Sequence, residues 1–200
     1  MSVNEAFGII SDLSNDPLPV SEGMARVIAI CSQEHPHSDW SQLSTIPYDE
    51  DSSRLDSWLP RVIASEPPPF KICGLWFGIG TFLVDGLETA DMHVIGSNRY
   101  DPNDRSQDWA VRAGYRPESG FAESMALDQI HRIAYRSPES LENDADWSLC
   151  LAYAVFTVSK VLRAATPALF RSDANIGVIV GFDEGDSLAL GYVTFAGLVA

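Results

Sequence analysis

Apolar positions recur at helical spacing through the first third of the chain. Over residues 3–13, Phe7, Ile10 and Leu13 fall on one face, and Asp16-Pro17-Leu18-Pro19 breaks the pattern. Ser21, with Glu22 in the following turn, opens a second helix carrying Met24, Val27, Ile28 and Cys31 on its apolar face. Residues 33–49 are polar and are expected to be irregular. Asp51 or Ser52 is then expected to cap a third helix bearing Leu55, Trp58, Leu59, Val62 and Ile63, with Pro60 kinking it or marking its true start. Pro67-Pro68-Pro69 ends the helical part and delivers the chain in extended form.

Beyond the prolines the period changes. Residues 72–83 are apolar, β-branched and aromatic; residues 84–89 supply a turn, and residues 91–96 alternate as a second strand. A second hairpin is expected near the end, from residues 176–182, the turn Asp183-Glu184-Gly185-Asp186, and residues 188–195. Between the hairpins lie a polar loop (98–120), an amphipathic helix (122–135) and a helix over 143–163 that is apolar nearly all round, hence buried. Asn143 or Asp144 is its expected cap. Gly74, Gly78 and Gly80 share one face of the first strand, and Gly177 and Gly181 one face of the third. Such repeated use implies a close neighbour, and the buried helix is the expected one. The pattern predicts a single α+β domain, helical over 1–66 and hairpin-helices-hairpin over 70–200. Its mostly antiparallel sheet packs against a buried helix and several amphipathic ones.

Charge narrows the function classes. Against 28 Asp and Glu stand 13 Lys and Arg, a formal net charge of −15. Such a field repels nucleic acid and anionic membranes and speeds encounter with basic partners. The longest apolar run, residues 149–158, is shorter than the roughly 20 residues of a spanning helix. The opening Met1-Ser2-Val3-Asn4-Glu5 lacks a secretory pattern, and Cys31, Cys73 and Cys150 sit in apolar stretches without ligand spacing. A cytoplasmic protein with reduced thiols is the expectation.

Candidate chemistry is sparse. His35 and His37 alternate near Asp39 and upstream of Asp49-Glu50-Asp51, but in a polar, Pro36-containing segment that reads as solvent-facing loop. Asp91 and His93 alternate on a strand, and His131 lies on a helix, without a nucleophile context beside them. Gly74-x-x-x-Gly78-x-Gly80 lacks the ending of a phosphate loop. Asp183-Glu184-Gly185-Asp186 lacks further calcium ligands and reads as a hairpin turn. These residues call for no catalytic group, no cofactor and no metal. What remains are acidic loops able to meet a basic protein: Asp49-Glu50-Asp51; Asp101, Asp104 and Asp108; and Asp183, Glu184 and Asp186.

Four segments carry a resemblance. Gly74-Leu75-Trp76-Phe77-Gly78-Ile79, Ala90-Asp91-Met92-His93-Val94, Leu149-Cys150-Leu151-Ala152-Tyr153-Ala154 and Val180-Gly181-Phe182-Asp183-Glu184-Gly185-Asp186 resemble bacterial immunity proteins of polymorphic and type VI secreted toxin systems. The likeness spans residues 70–193 and transfers no individual functional residue. It implies a small, acidic, catalytically inert cytoplasmic protein that neutralises a cognate toxin. The alternative from another class is a small enzyme with an acidic, histidine-containing pocket.

Overall fold

A computed structural model describes residues 3–84, 86–104, 108–183 and 185–200. Asp85 and Glu184, each placed in a predicted turn, lie outside the described residues. Helices α1 (Val3–Asn15) and α2 (Val20–Glu34) follow the predicted periodicity. The polar stretch after them is not irregular throughout: α3 (Asp39–Leu43) forms there and buries Trp40 and Leu43. The expected third helix is two, α4 (Tyr48–Leu55) and α5 (Trp58–Ser65). Pro60 sits in the first turn of α5, where a missing N–H leaves no bond unmade. Asp51 and Ser52 lie inside α4 rather than capping a helix.

The sheet has five strands in the order β2-β1-β3-β4-β5. Strands β1 (Gly74–Val84) and β2 (Leu87–Ser97) form the first hairpin, with Gly86 in its turn at φ +80°. Strands β3 (Ile176–Phe182) and β4 (Ser187–Thr194) form the second, and a short β5 (Gly197–Val199) adds to its edge. The two hairpins join through a parallel β1–β3 pairing, Gly74 opposite Gly177 and Gly78 opposite Gly181. The register of β3 against β4 shifts between Val178 and Ile179, and Gly191 takes φ +99° beside that bulge. The free edge of β2 is covered by the loop before α7 (Met125–Ala134): His93 bridges to Phe121 and Gly96 to Tyr115.

One sheet face carries Leu75, Phe77, Ile79, Met92, Val94, Val178 and Val180 into the main core, and α8 (Asn143–Leu162) packs there. By length and composition α8 is apolar enough to cross a membrane, but 78% of its apolar window is buried inside the protein, so it serves as the core helix. Neither Asn143 nor Asp144 caps it. Glu142 holds the cap position at φ +47° without a side-chain bond.

The glycine-rich face points the other way, which overturns the expectation that a buried helix approaches it. A side chain at Gly74 would meet Tyr100 and Trp109, one at Gly177 would overlap the Tyr100 ring, and one at Gly78 would overlap His93 and Asp183. Trp76, Ile95 and Ile179 on this face form a second small core with Trp109 and Ala110 of α6 (Asp108–Val111). Period-2 alternation sends α8 to the odd positions of β1 and the aromatic loop to the even ones.

Candidate functional site

The first acidic triplet is divided in use, two of its carboxylates holding helix starts and the third not. Asp49 points at the start of α2, accepting bonds from the backbone N–H (3.0 Å) and the hydroxyl of Ser21. Partial burial raises its proton affinity, but the Ser21 bonds outweigh that and hold the carboxyl below its ordinary value. Asp51 is 2% exposed, and this corrects its assignment to a contact surface. Its carboxylate accepts from Ser124 Oγ (2.7 Å), the backbone N–H groups of Met125 (3.2 Å) and Ala126 (3.1 Å), and the Tyr153 hydroxyl (2.7 Å). Burial and the neighbouring Asp51 push the Tyr153 phenol well up. Asp91 reaches the same helix start, accepting from the N–H groups of Glu123 and Ser124, both at 3.1 Å. Two carboxylates from distant segments thus hold down the first turn of α7, whose own cap is Ser124. Glu50 alone of the triplet is exposed without such a task.

The second acidic segment lines a hollow of about 450 Å³ with Asp101, Asp104 and Asp108. Arg99, Arg112, Tyr100 and Trp109 share its walls, so its charge is mixed. Asp101 also accepts from the backbone N–H of Asn103 at 2.8 Å, closing its own turn.

The third segment borders a wedge of about 680 Å³ between the ends of β1 and β3 and the first turns of α8. Asp183 and Asp186 of the β3–β4 turn and Asp146 of α8 lie along its lining, Asp183 on the glycine-face side, and Ile79, Phe82, Trp147 and Phe182 supply apolar wall. Among the described residues that line it, none is Lys or Arg. The Trp147 indole N–H donates to Asp186 Oδ2 at 3.1 Å, and its ring meets Phe7 edge-on at 5.6 Å, which fixes the wall in place. The predicted turn therefore belongs to a site whose other half, Asp146 and Trp147, sits in a helix that reads from sequence as plain core. A carboxylate in the first turn of an apolar helix is the only sequence signal that pointed there.

Histidines flank the wedge without opening it to obvious chemistry. His93 Nε2 lies 3.4 Å from Asp183 Oδ1, over the bare Cα of Gly78. Burial pulls its pKa below the ordinary value, partly offset by Asp183, and its Nδ1 is buried without a partner. Asp91, expected on the same strand face, serves α7 instead. His131 Nδ1 bonds Asp146 Oδ1 at 3.1 Å, and that bond outweighs burial to raise its pKa. Cys150 donates to the same oxygen at 3.5 Å, while burial, then Asp146, pushes its thiol far up, away from nucleophilic thiolate. His35 and His37 do not converge: His35 lies 3.5 Å from Asp144, and His37 Nδ1 accepts from the backbone N–H of Asp39 at 3.1 Å. The buried Asp39 is instead matched by Arg136, which also bonds Gln42. Among the described residues, no group of three His, Cys, Asp or Glu side chains is arranged to hold a metal ion.

No protein-family model, characterised protein or solved structure matches this chain.

Proposed function

We propose that the protein is a non-catalytic binder of a basic protein, of the immunity type, which acts in the cytoplasm by covering the active site of a cognate secreted toxin. The observation that carries this reading is the wedge: a concave, aromatic-walled surface whose described lining holds three carboxylates and no cation, in a chain of net charge −15. A buried aromatic anchor ringed by polar groups is the usual form of an interface hot spot, and the surrounding field steers a basic partner toward it. A toxin acting on nucleic acid or nucleotides presents a basic cleft of complementary sign. The enzyme alternative draws support from one feature, the His131–Asp146 pair at the wedge wall, but the thiol beside it is held protonated and His131 itself is buried.

The test is co-expression with the product of the adjacent gene, followed by binding measured against salt. Protection of the host, with association slowing steeply as ionic strength rises and dissociation changing less, is the expected outcome. A neighbouring product that is harmless alone, or equally lethal in the presence of this protein, overturns the reading.

A further inference from the structure

We propose that the free edge of β1 at Thr81 and Leu83 takes an extended segment of the basic partner as an added strand; this deepens the reading above and rests on it. Strand β1 runs for 11 residues and β3 for 7, and their parallel pairing stops at Ile79 opposite Phe182. There β3 ends, and the Asp183 N–H donates to the Ile79 carbonyl at 3.1 Å. Beyond that point β1 is held by β2 alone, Thr81 opposite Ala90 and Leu83 opposite Glu88. Alternate residues of a strand send both main-chain groups to the same side. Those of Thr81 and Leu83 therefore follow Ile79, away from β2, and among the described residues no backbone group bonds them from that side. The sheet treats its other edges differently. Tyr115 and Phe121 bridge to β2, and β5 at the far edge is 3 residues long. Here Thr81 is exposed, and Leu83, a large apolar side chain, is 73% exposed. The wedge has the shape that such an opening produces. Its lining draws on both sheet faces, Ile79 and Trp147 from the α8 side, Phe82 and Asp183 from the glycine side. A hollow touches both faces only where the sheet between them is open. Main-chain donors and acceptors left unmet in a row call for an extended backbone, whose alternating side chains would meet Trp147 on one face and Phe82 on the other. Charge sets the kind of segment. A net charge of −15, with the exposed Glu88 opposite Leu83, disfavours a second copy of this chain and favours a stretch carrying Lys or Arg.

The experiment titrates the intact, isotope-labelled protein with two blocked heptapeptides, one alternating Lys and Val and one alternating Glu and Val, and follows the backbone amide resonances. Saturable shifts at the Thr81 and Leu83 amides, with the Lys-Val peptide at least about tenfold tighter than the Glu-Val one, are expected. Thr81→Pro removes an N–H that faces the opening and leaves those that face β2. It should weaken peptide binding at least about tenfold with the unfolding midpoint in place. Leu83→Lys, at an exposed position, is the second variant and should weaken the Lys-Val peptide by charge repulsion while the protein stays folded. No response to the Lys-Val peptide, shifts centred elsewhere, equal response to the two peptides, or no loss in either variant overturns the docking edge. So does dimerisation that protects the same two amides without peptide, which makes a second copy the occupant. Toxin protection separates the docking edge from the binder reading. If the parent and both variants protect equally, the docking edge is wrong and the binder reading stands. If the Lys-Val peptide binds at the edge but the parent protects against nothing, the binder reading fails and the edge stands.

Discussion

Replacing Asp51 by Asn tests whether its carboxylate organises the start of α7. The carboxylate is 2% exposed and accepts five bonds, two from hydroxyls, two from the backbone N–H groups that open α7, and a long one of 3.5 Å from the Arg54 guanidinium. An Asn can keep one acceptor oxygen, but its amide NH2 then faces groups that donate to Asp51, and a backbone N–H, unlike a hydroxyl, cannot turn to accept from it. Bonds to a charged acceptor contribute about 1.5–3 kcal/mol each, and a buried donor left unsatisfied costs about 1–3 kcal/mol. Because these bonds share one group and relax together, we expect a total loss of about 3–5 kcal/mol rather than their sum. Urea unfolding followed by tryptophan fluorescence reads this loss. Amide hydrogen exchange should place it, with protection lost first at Met125 and Ala126. Glu50→Gln, one residue away and exposed, is the control and should stay within about 0.5 kcal/mol of the parent. A D51N variant within about 1 kcal/mol of the parent would refute the claim that this carboxylate organises the start of α7. The same reasoning forbids neutralising the whole acidic triplet to probe a partner, since that perturbs folding.

Four further outcomes rest on the two sheet faces and the buried titrating groups. Gly78→Val should destabilise by about 1–3 kcal/mol by displacing His93 and Asp183. That loss should shrink in a His93→Ala background, and an unchanged loss would mean some other neighbour is displaced. His131 binds its proton more tightly folded than unfolded, so its stabilisation is fully present below about pH 6.5 and is lost as pH rises through the folded value. The stability gap between the parent and His131→Gln, measured by urea unfolding, should therefore be widest at pH 5.5 and narrow toward pH 8. His93, shifted down by burial, works oppositely, and His93→Gln should close its own gap as pH falls. With a thiol reagent, the half-buried Cys73 should react in the native protein while the buried Cys31 and Cys150 wait for unfolding. Fast native modification of two or more thiols would contradict the packing of α2 and α8.

Much of the fold was legible because the relevant signals are local. Helical spacing in α1, α2 and α7, the all-round apolarity of α8 and the alternation within each hairpin are short-range patterns that burial enforces on the residues themselves. The brief α3, by contrast, has only Trp40 and Leu43 to anchor it, too few for a period to show. What joins the hairpins, the parallel β1–β3 pairing, leaves no mark on either strand, because both are apolar on the core face whichever neighbour they take. The glycines announced a close approach but not its direction: parity groups Gly74, Gly78 and Gly80 on one face, and only the packing of α8 against Phe77 and Ile79 decides that this face meets Tyr100, Trp109 and His93 instead. The acidic residues show the same division. Their number and sign are properties of the chain, and they suffice to disfavour an anionic partner. Asp51, Asp91 and Asp49 are held by helix starts 28 to 75 residues away along the chain, whereas Asp183 lies beside His93 and Asp186 accepts from the Trp147 indole at the border of an open wedge. Whether a carboxylate is a folding element or a ligand-facing group depends on which backbone amides tertiary contact brings within hydrogen-bond reach, and no spacing along the chain encodes that.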